Sequence, residues 1–154
     1  MLGCSEARRT RRVSERELDV VTGVIVDAAV KLHSGLGPGL LESIYETVLA
    51  RDLGRRGLSV ERQASPPFEY DGLEFHDGFR VDLLIDRRVV VELKSVERVL
   101  PVHAKQVLTY LRLMNLPVGL LLNFGAATMK EGLQRIVNNH APGPNPVLRV
   151  NQRD

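Results

Sequence analysis

The chain has 154 residues, 44% of them hydrophobic and 26% charged, enough for one buried core and too apolar for disorder throughout. No apolar run approaches the ~18 residues that a membrane span needs, and residues 1–12 contain no apolar signal-peptide stretch, so the expected location is the cytoplasm. The single cysteine, Cys4, excludes an intrachain disulfide and any metal site built on several thiolates.

Residues 1–16 read as a flexible basic tail. Arg8, Arg9, Arg11, Arg12 and Arg16 against Glu6 and Glu15 give them a net +3, which leaves −1 for residues 17–154 out of the total of +2. The body therefore lacks the basic excess with which proteins grip long duplex DNA through charge alone. The tail is either a solvated extension, the plainer reading, or a nucleic-acid arm. Residues 17–140 read as one domain, and residues 141–154 as a proline-rich C-terminal tail beginning Ala-Pro-Gly-Pro-Asn-Pro.

Within the domain, Leu18, Val21, Ile25, Ala28 and Leu32 recur at steps of three and four, which predicts a helix over residues 17–33. Gly35, Gly37, Pro38 and Gly39 break it. A second helix is predicted over residues 40–56, with Leu41, Ile44, Tyr45, Val48 and Leu49 on its apolar side and Gly57 as its stop. The period then changes to two. Residues 58–63 alternate as a strand, and Pro66-Pro67 interrupt it. Phe68-Glu-Tyr70 and Leu73-Glu-Phe75 flank Asp71-Gly72, a strong hairpin signal. Residues 79–85 and 89–95 make a second strand pair around Asp86-Arg87-Arg88. Helical spacing returns over residues 103–114, a continuous apolar strand follows at residues 118–124, and a last short helix is predicted near residues 130–138. This order describes an α/β sandwich with a mixed sheet.

The chemistry concentrates in residues 79–95. If Asp86 to Arg88 form a three-residue loop, Asp82 faces Glu92 and Arg80 faces Lys94. Alternation then puts Arg80, Asp82, Leu84, Val90, Glu92 and Lys94 on one face and the uniformly apolar Val81, Leu83, Ile85, Val89, Val91 and Leu93 on the other. A solvated face crossed by salt bridges is the plain alternative. Against it, two directly opposed acids repel, and Leu84 and Val90 on the same face imply a cover that desolvates them. Two facing carboxylates on rigid strands suit a hard cation such as Mg²⁺, which takes oxygen ligands and keeps several waters.

Asp82, followed on the next strand by Glu92-Leu93-Lys94, resembles the D…(D/E)xK core of the PD-(D/E)XK nuclease superfamily, with Val81 where a proline is usual. Gly39-Leu-Leu-Glu42-Ser-Ile-Tyr45 resembles the signature of the GxxExxY family, itself similar to that superfamily, and Gln106-Val-Leu-Thr-Tyr110 resembles the QxxxY motif of RecB-like nucleases. The resemblance implies a restriction-endonuclease-like α-β-β-β-α-β core, a mixed sheet flanked by helices. It implies that Asp82, Glu92, the carbonyl of Leu93 and Glu42 hold Mg²⁺ or Mn²⁺, and that Lys94 orients or deprotonates the attacking water. Gln106 and Tyr110 would contact substrate. The implied activity is metal-dependent phosphodiester hydrolysis of DNA or RNA. Because the body is not basic, either the nucleic acid is short or structured, or a partner protein brings it, or a homodimer builds the groove; no membrane partner is expected.

Plainer roles stand beside these. Glu42 reads equally as a helix-surface acid, and Gln106 and Tyr110 as a packing pair one turn apart. His33 suits the C-terminal dipole of its helix, and His103 suits a helix start. The glycines at 35, 37 and 39 lack the lysine and spacing of a P-loop and read as a tight turn. At the level of function, the alternatives are a non-catalytic nucleic-acid-binding or adaptor module on the same fold, and a metal-dependent hydrolase of nucleotides.

Overall fold

The structure, a computed structural model, describes the backbone of residues 4–139 and 148–149 and the side chains of residues 17–139. Helix α1 (Cys4–Leu36) begins well before the predicted start, so residues 4–16, expected as a flexible tail, have helical backbone. No glycine or proline lies between Cys4 and Thr22, and nothing there interrupts the hydrogen-bond ladder. Residues 1–3 lie outside the described residues, as does most of the predicted proline-rich tail.

Helix α2 (Glu42–Arg55) follows the glycine-rich turn. Next come β1 (Val60–Ala64), β2 (Phe68–Tyr70) and β3 (Leu73–Phe75). The last two close a hairpin on Asp71 and Gly72, both at positive φ (51° and 76°), the conformation that a two-residue turn needs. β4 (Val81–Ile85) and β5 (Val89–Lys94) lead to helix α3 (Pro101–Met114) and strand β6 (Val118–Asn123). A single helical turn, α4 (Met129–Gly132), then gives way to β7 (Leu133–Val137), and β8 (Leu148–Arg149) ends the described chain.

β7 corrects the helix predicted near residues 130–138. Its residues pair antiparallel with β6 from Leu122↔Leu133 to Val118↔Val137. The exposed row of β6 backbone groups needs partners, and that pairing overrides a local pattern too short to define a helix. The main sheet runs β1-β4-β5-β6-β7, with β5 and β6 parallel and the other neighbours antiparallel. Taken in turn, α2, β1, β4, β5, α3 and β6 give the order α-β-β-β-α-β. The β2–β3 hairpin is inserted between β1 and β4, and β8 pairs with β2 in a separate three-stranded sheet. The chain thus has the mixed α/β architecture, a five-stranded sheet flanked by helices, of a restriction-endonuclease-like fold.

Each sheet face has its own core. α1 and α2 bury Ile25, Ala28, Tyr45, Leu49 and Leu53 against Leu83, Ile85, Val91, Leu93, Leu120 and Leu122. On the other side, α3 buries Val107, Leu111 and Met114 against Leu84, Val90 and Leu121. The core face of α2 is rotated from the predicted one. Tyr45, Glu46, Leu49 and Leu53 are inside, whereas Leu41, Ile44 and Val48 are exposed.

The glycine-rich turn explains that rotation. Gly37 and Gly39 hold positive φ of 74° and 97°, which carries the chain sharply from α1 into α2. The fully buried Tyr45 donates its hydroxyl to Gly37 O at 2.6 Å and accepts from Leu40 N at 3.1 Å. Its ring stacks on Phe124 at 4.3 Å. One side chain therefore ties the turn to the core. His33, also buried, donates from Nε2 to Ala126 O at 2.9 Å and anchors the loop after β6. His103 Nδ1 accepts from Leu100 N at 3.1 Å and caps the start of α3.

Replacing Tyr45 by Phe keeps the ring and removes both turn hydrogen bonds. The expected loss is about 1–2 kcal/mol of unfolding free energy, against about 3–5 kcal/mol for Tyr45→Ala, which also empties the core. Chemical denaturation of the three proteins checks the ordering.

Candidate functional site

The predicted register holds. β4 and β5 pair as Ile85↔Val89, Leu84↔Val90 and Leu83↔Val91, the alignment that sets Asp82 against Glu92. At that point side chains take over from the backbone ladder. Glu92 Oε1 accepts from Asp82 N at 3.0 Å, and Asp82 Oδ2 accepts from Leu93 N at 2.9 Å. Each acid thus accepts a backbone N–H of the other strand, and both carboxylates are held on rigid elements.

The strict alternation expected for β4 fails at its start. Val81, predicted on the face of Leu83 and Ile85, packs with Leu84 and Val90 under α3. Its partner in β1 is Ala64. The residue before Ala64, Gln63, comes opposite Asp82 in that register and sits at positive φ, 51°, outside the extended backbone of a regular strand.

The acids sit in unlike surroundings. Glu92 is buried at 6% exposure, and Asp82 is half-buried. Loss of water around Glu92, followed by the nearby Asp82 charge, raises the Glu92 pKa from an ordinary 4.5 to about 8, and Lys94 pulls the other way. Such a group is satisfied by a proton or by a cation. Lys94 is half-buried at the end of β5 and makes no ion pair among the described residues. From α3, Tyr110 approaches the same pair. Its pKa is raised first by burial and then by the charges of Glu92 and Asp82. Gln106, one turn earlier, is exposed.

Glu42 is exposed at the first turn of α2, where an acid suits the helix dipole. Its Oε1 accepts from Ser95 N at 3.3 Å, and Ser95 Oγ donates to Leu40 O at 2.5 Å. Glu42 therefore borders the end of β5, next to Lys94. Among the described residues, no three acids, histidines or cysteines gather into a ready metal cluster.

Another acid of α2 is linked to Asp82. Gln63 Nε2 donates to both carboxylate oxygens of Glu46 at 3.1 Å and reaches Asp82 Oδ1 at 3.4 Å. Arg62 Nε also contacts Glu46 Oε1 at 3.4 Å. Sequence reasoning missed both Glu46 and Gln63. The available signal was the helix phase: counted from Tyr45, Leu49 and Leu53 rather than from Ile44 and Val48, Glu46 turns inward.

The donor set fits a divalent cation chemically. Two carboxylate groups and a carbonyl are hard oxygen ligands, and the high proton affinity of Glu92 marks a place where positive charge is wanted. No helix among the described residues is long and apolar enough to cross a membrane. The sequence matches the family model of the PD-(D/E)XK nuclease superfamily over residues 19–136. No curated protein and no solved structure matches the chain.

The Glu92 shift sets a pH dependence for the metal-free protein. A carboxyl whose folded pKa is raised binds its proton more tightly when folded, so its stabilisation is complete below about 4.5 and is lost as pH rises towards about 8. Metal-free unfolding free energy should therefore fall between those values, and Glu92→Gln should flatten the decline. Denaturation in EDTA at a series of pH values measures both.

Proposed function

The chain belongs to the PD-(D/E)XK nuclease superfamily, and from that premise we propose that it is a Mg²⁺- or Mn²⁺-dependent phosphodiesterase acting on DNA or RNA. Gly39, Glu42 and Tyr45 support assigning it to the GxxExxY group within that superfamily. The observation that carries the reading is the pair of opposed acids, Asp82 and Glu92, each fixed by a backbone N–H of the other's strand, with a lysine two residues on. A solvated salt-bridge face has no need to bury one of two facing acids.

In this reading Asp82, Glu92 and the Leu93 carbonyl hold the cation, and Glu42 completes the set from the start of α2. A bound divalent cation supplies Lewis-acid stabilisation of charge on the scissile phosphate and makes a water more acidic. The chain's own groups do the rest. As an ammonium, Lys94 Nζ orients the attacking water and opposes the negative charge that builds on phosphorus; as a neutral amine it takes the water's proton and becomes that charge. The water oxygen forms the new P–O bond, the bond to the leaving oxygen breaks, and that oxygen gains a proton from solvent or from the protonated Lys94. Glu46 and Gln63 position Asp82. Gln106, exposed on α3, and the half-buried Tyr110 one turn on contact the substrate.

Two measurements test this. Saturating Mn²⁺ should raise the melting temperature of the wild type, by about 2.7 kcal/mol of stabilisation at ~100 times Kd. Asp82→Asn should be at least as stable in EDTA yet gain little from Mn²⁺, whereas a purely structural Asp82 predicts destabilisation under both conditions. Cleavage assays on single- and double-stranded DNA and RNA should show metal-dependent hydrolysis, with Lys94→Ala slower by about 10²–10³-fold. An unchanged wild-type melting temperature together with no cleavage of any substrate refutes the hydrolase and leaves a binding module.

A further inference from the structure

The β2–β3 hairpin is inserted into the sheet topology and adds little to either core. Its register pairs Phe68 with Phe75 and Tyr70 with Leu73, leaving Glu69 and Glu74 opposed on the reverse side. One face is thus aromatic and apolar and carries no charge. That face is open: Tyr70 is 51%, Leu73 61% and Phe75 38% exposed. A monomer has no folding reason to present two aromatic rings and a leucine together on an inserted hairpin.

The face also continues inward. Phe75 stacks on Phe68 at 5.2 Å, Phe68 lies against Phe79 at 5.8 Å, and Phe79 stacks on Tyr110 at 4.9 Å. Phe79 is three residues before Asp82, and Tyr110 feels the charges of Glu92 and Asp82. The rings therefore form one row from the exposed hairpin inward to Phe79 and Tyr110, which are half-buried against the core under α3. Two details fix it. Ser65 Oγ donates to Phe79 O at 2.7 Å. A Cβ on Gly78 would lie 2.5 Å from the Phe68 ring, so the bare glycine lets that ring close onto the backbone.

We propose that this row is a stacking platform for unpaired bases, which makes the substrate a single strand or a frayed end rather than an intact duplex; the proposal rests on the hydrolase reading and names its substrate class. Every base offers a π-face to an aromatic ring, and a duplex hides those faces. Charge points the same way. The body, residues 17–154, has a net charge of −1 and the whole chain only +2, a weak basis for holding duplex phosphates, whereas stacking attracts bases without a basic surface. Arg80, exposed beside Phe79 and without an ion pair among the described residues, supplies a cation for the backbone of a strand lying on the row.

The test separates binding from cleavage. Fluorescence anisotropy in EDTA compares an oligomer of about twelve thymidines, the corresponding uridine oligomer, an abasic oligomer with the same phosphates, and a blunt duplex. The full-length wild type should bind the two base-carrying single strands about tenfold or more tightly than the abasic oligomer or the duplex. Phe75→Leu and Tyr70→Leu keep apolar bulk and should each reduce that preference severalfold, with melting temperatures near wild type as the folding control. Equal affinity of the wild type for the abasic and base-carrying strands overturns the platform whatever the variants do, as does unchanged base-dependent binding in both variants. Cleavage under Mn²⁺ is read separately. Base-dependent binding without cleavage sinks the hydrolase and leaves the platform standing, and cleavage without base-dependent binding does the reverse.

Discussion

A carboxyl group removed from water must receive a proton, a cation or several donors, and much of the site's architecture follows from burying Glu92 in the middle of a sheet. β5 is covered on one face by α1 and α2 and on the other by α3, so an acid in that strand has nowhere solvated to turn. What it receives is the backbone N–H of Asp82, while Asp82 in turn takes the N–H of Leu93. The exchange requires side chains to stand where the backbone ladder would otherwise continue, and the regular pairs stop at Leu83↔Val91. The irregular backbone at Gln63 and the packing of Val81 under α3 both occur beside the acid pair.

Fixing the acids is only half of a usable site; the elements around them must also be held in place. Tyr45 does this for α2. Its hydroxyl grips the turn after α1 and its ring packs on Phe124, at the end of β6. Glu42 lies one turn before the buried Glu46 on the same helix. Anchoring Tyr45 therefore sets the height of both acids relative to β5. Glu42 meets Ser95 at the strand end, and Glu46 reaches Asp82 through Gln63. Gly39, Glu42 and Tyr45 thus have a structural reason independent of chemistry: positive φ at the glycine, an acid placed at a helix start, and a hydroxyl for the turn.

Where local pattern and tertiary demand agreed, the sequence was readable. The hairpin at Asp71-Gly72, the alignment of β4 with β5, the helix α3 and the apolar strand β6 all follow from turn chemistry and periodicity. Where they disagreed, reading failed in a traceable way. On α2 the apolar residues spread over more than one face, and Ile44 and Val48 drew the phase away from Tyr45, which hid Glu46. At residues 133–137 the deciding factor was the open edge of β6, a partner distant in sequence that no local window contains. At the start of β4 the alternation broke where Val81 packs under α3, opposite a stretch of β1 whose Gln63 leaves extended backbone. The Asp82–Glu92 opposition needed only the loop length, whereas the link from Asp82 to Glu46 needed three elements to meet.

The electrostatic balance of the site also constrains how a polyanion can approach it. Two acids in a half-covered cleft repel phosphate, and the single nearby ammonium of Lys94 does not cancel both charges when Glu92 is ionised. At neutral pH the raised proton affinity of Glu92 removes one of those charges. A divalent cation would compete with that proton, because both answer the same desolvated oxygens. Repulsion of phosphate at the cleft therefore falls when positive charge enters it, and the body, at −1, has no basic excess of its own, the arginines of residues 8–16 lying outside it. On the proposed reading, a hold on the substrate that does not depend on its phosphates complements the charge that a cation and Arg80 supply. The uncharged rings from Phe75 to Tyr110 offer such a hold, since stacking is indifferent to the sign of the cleft.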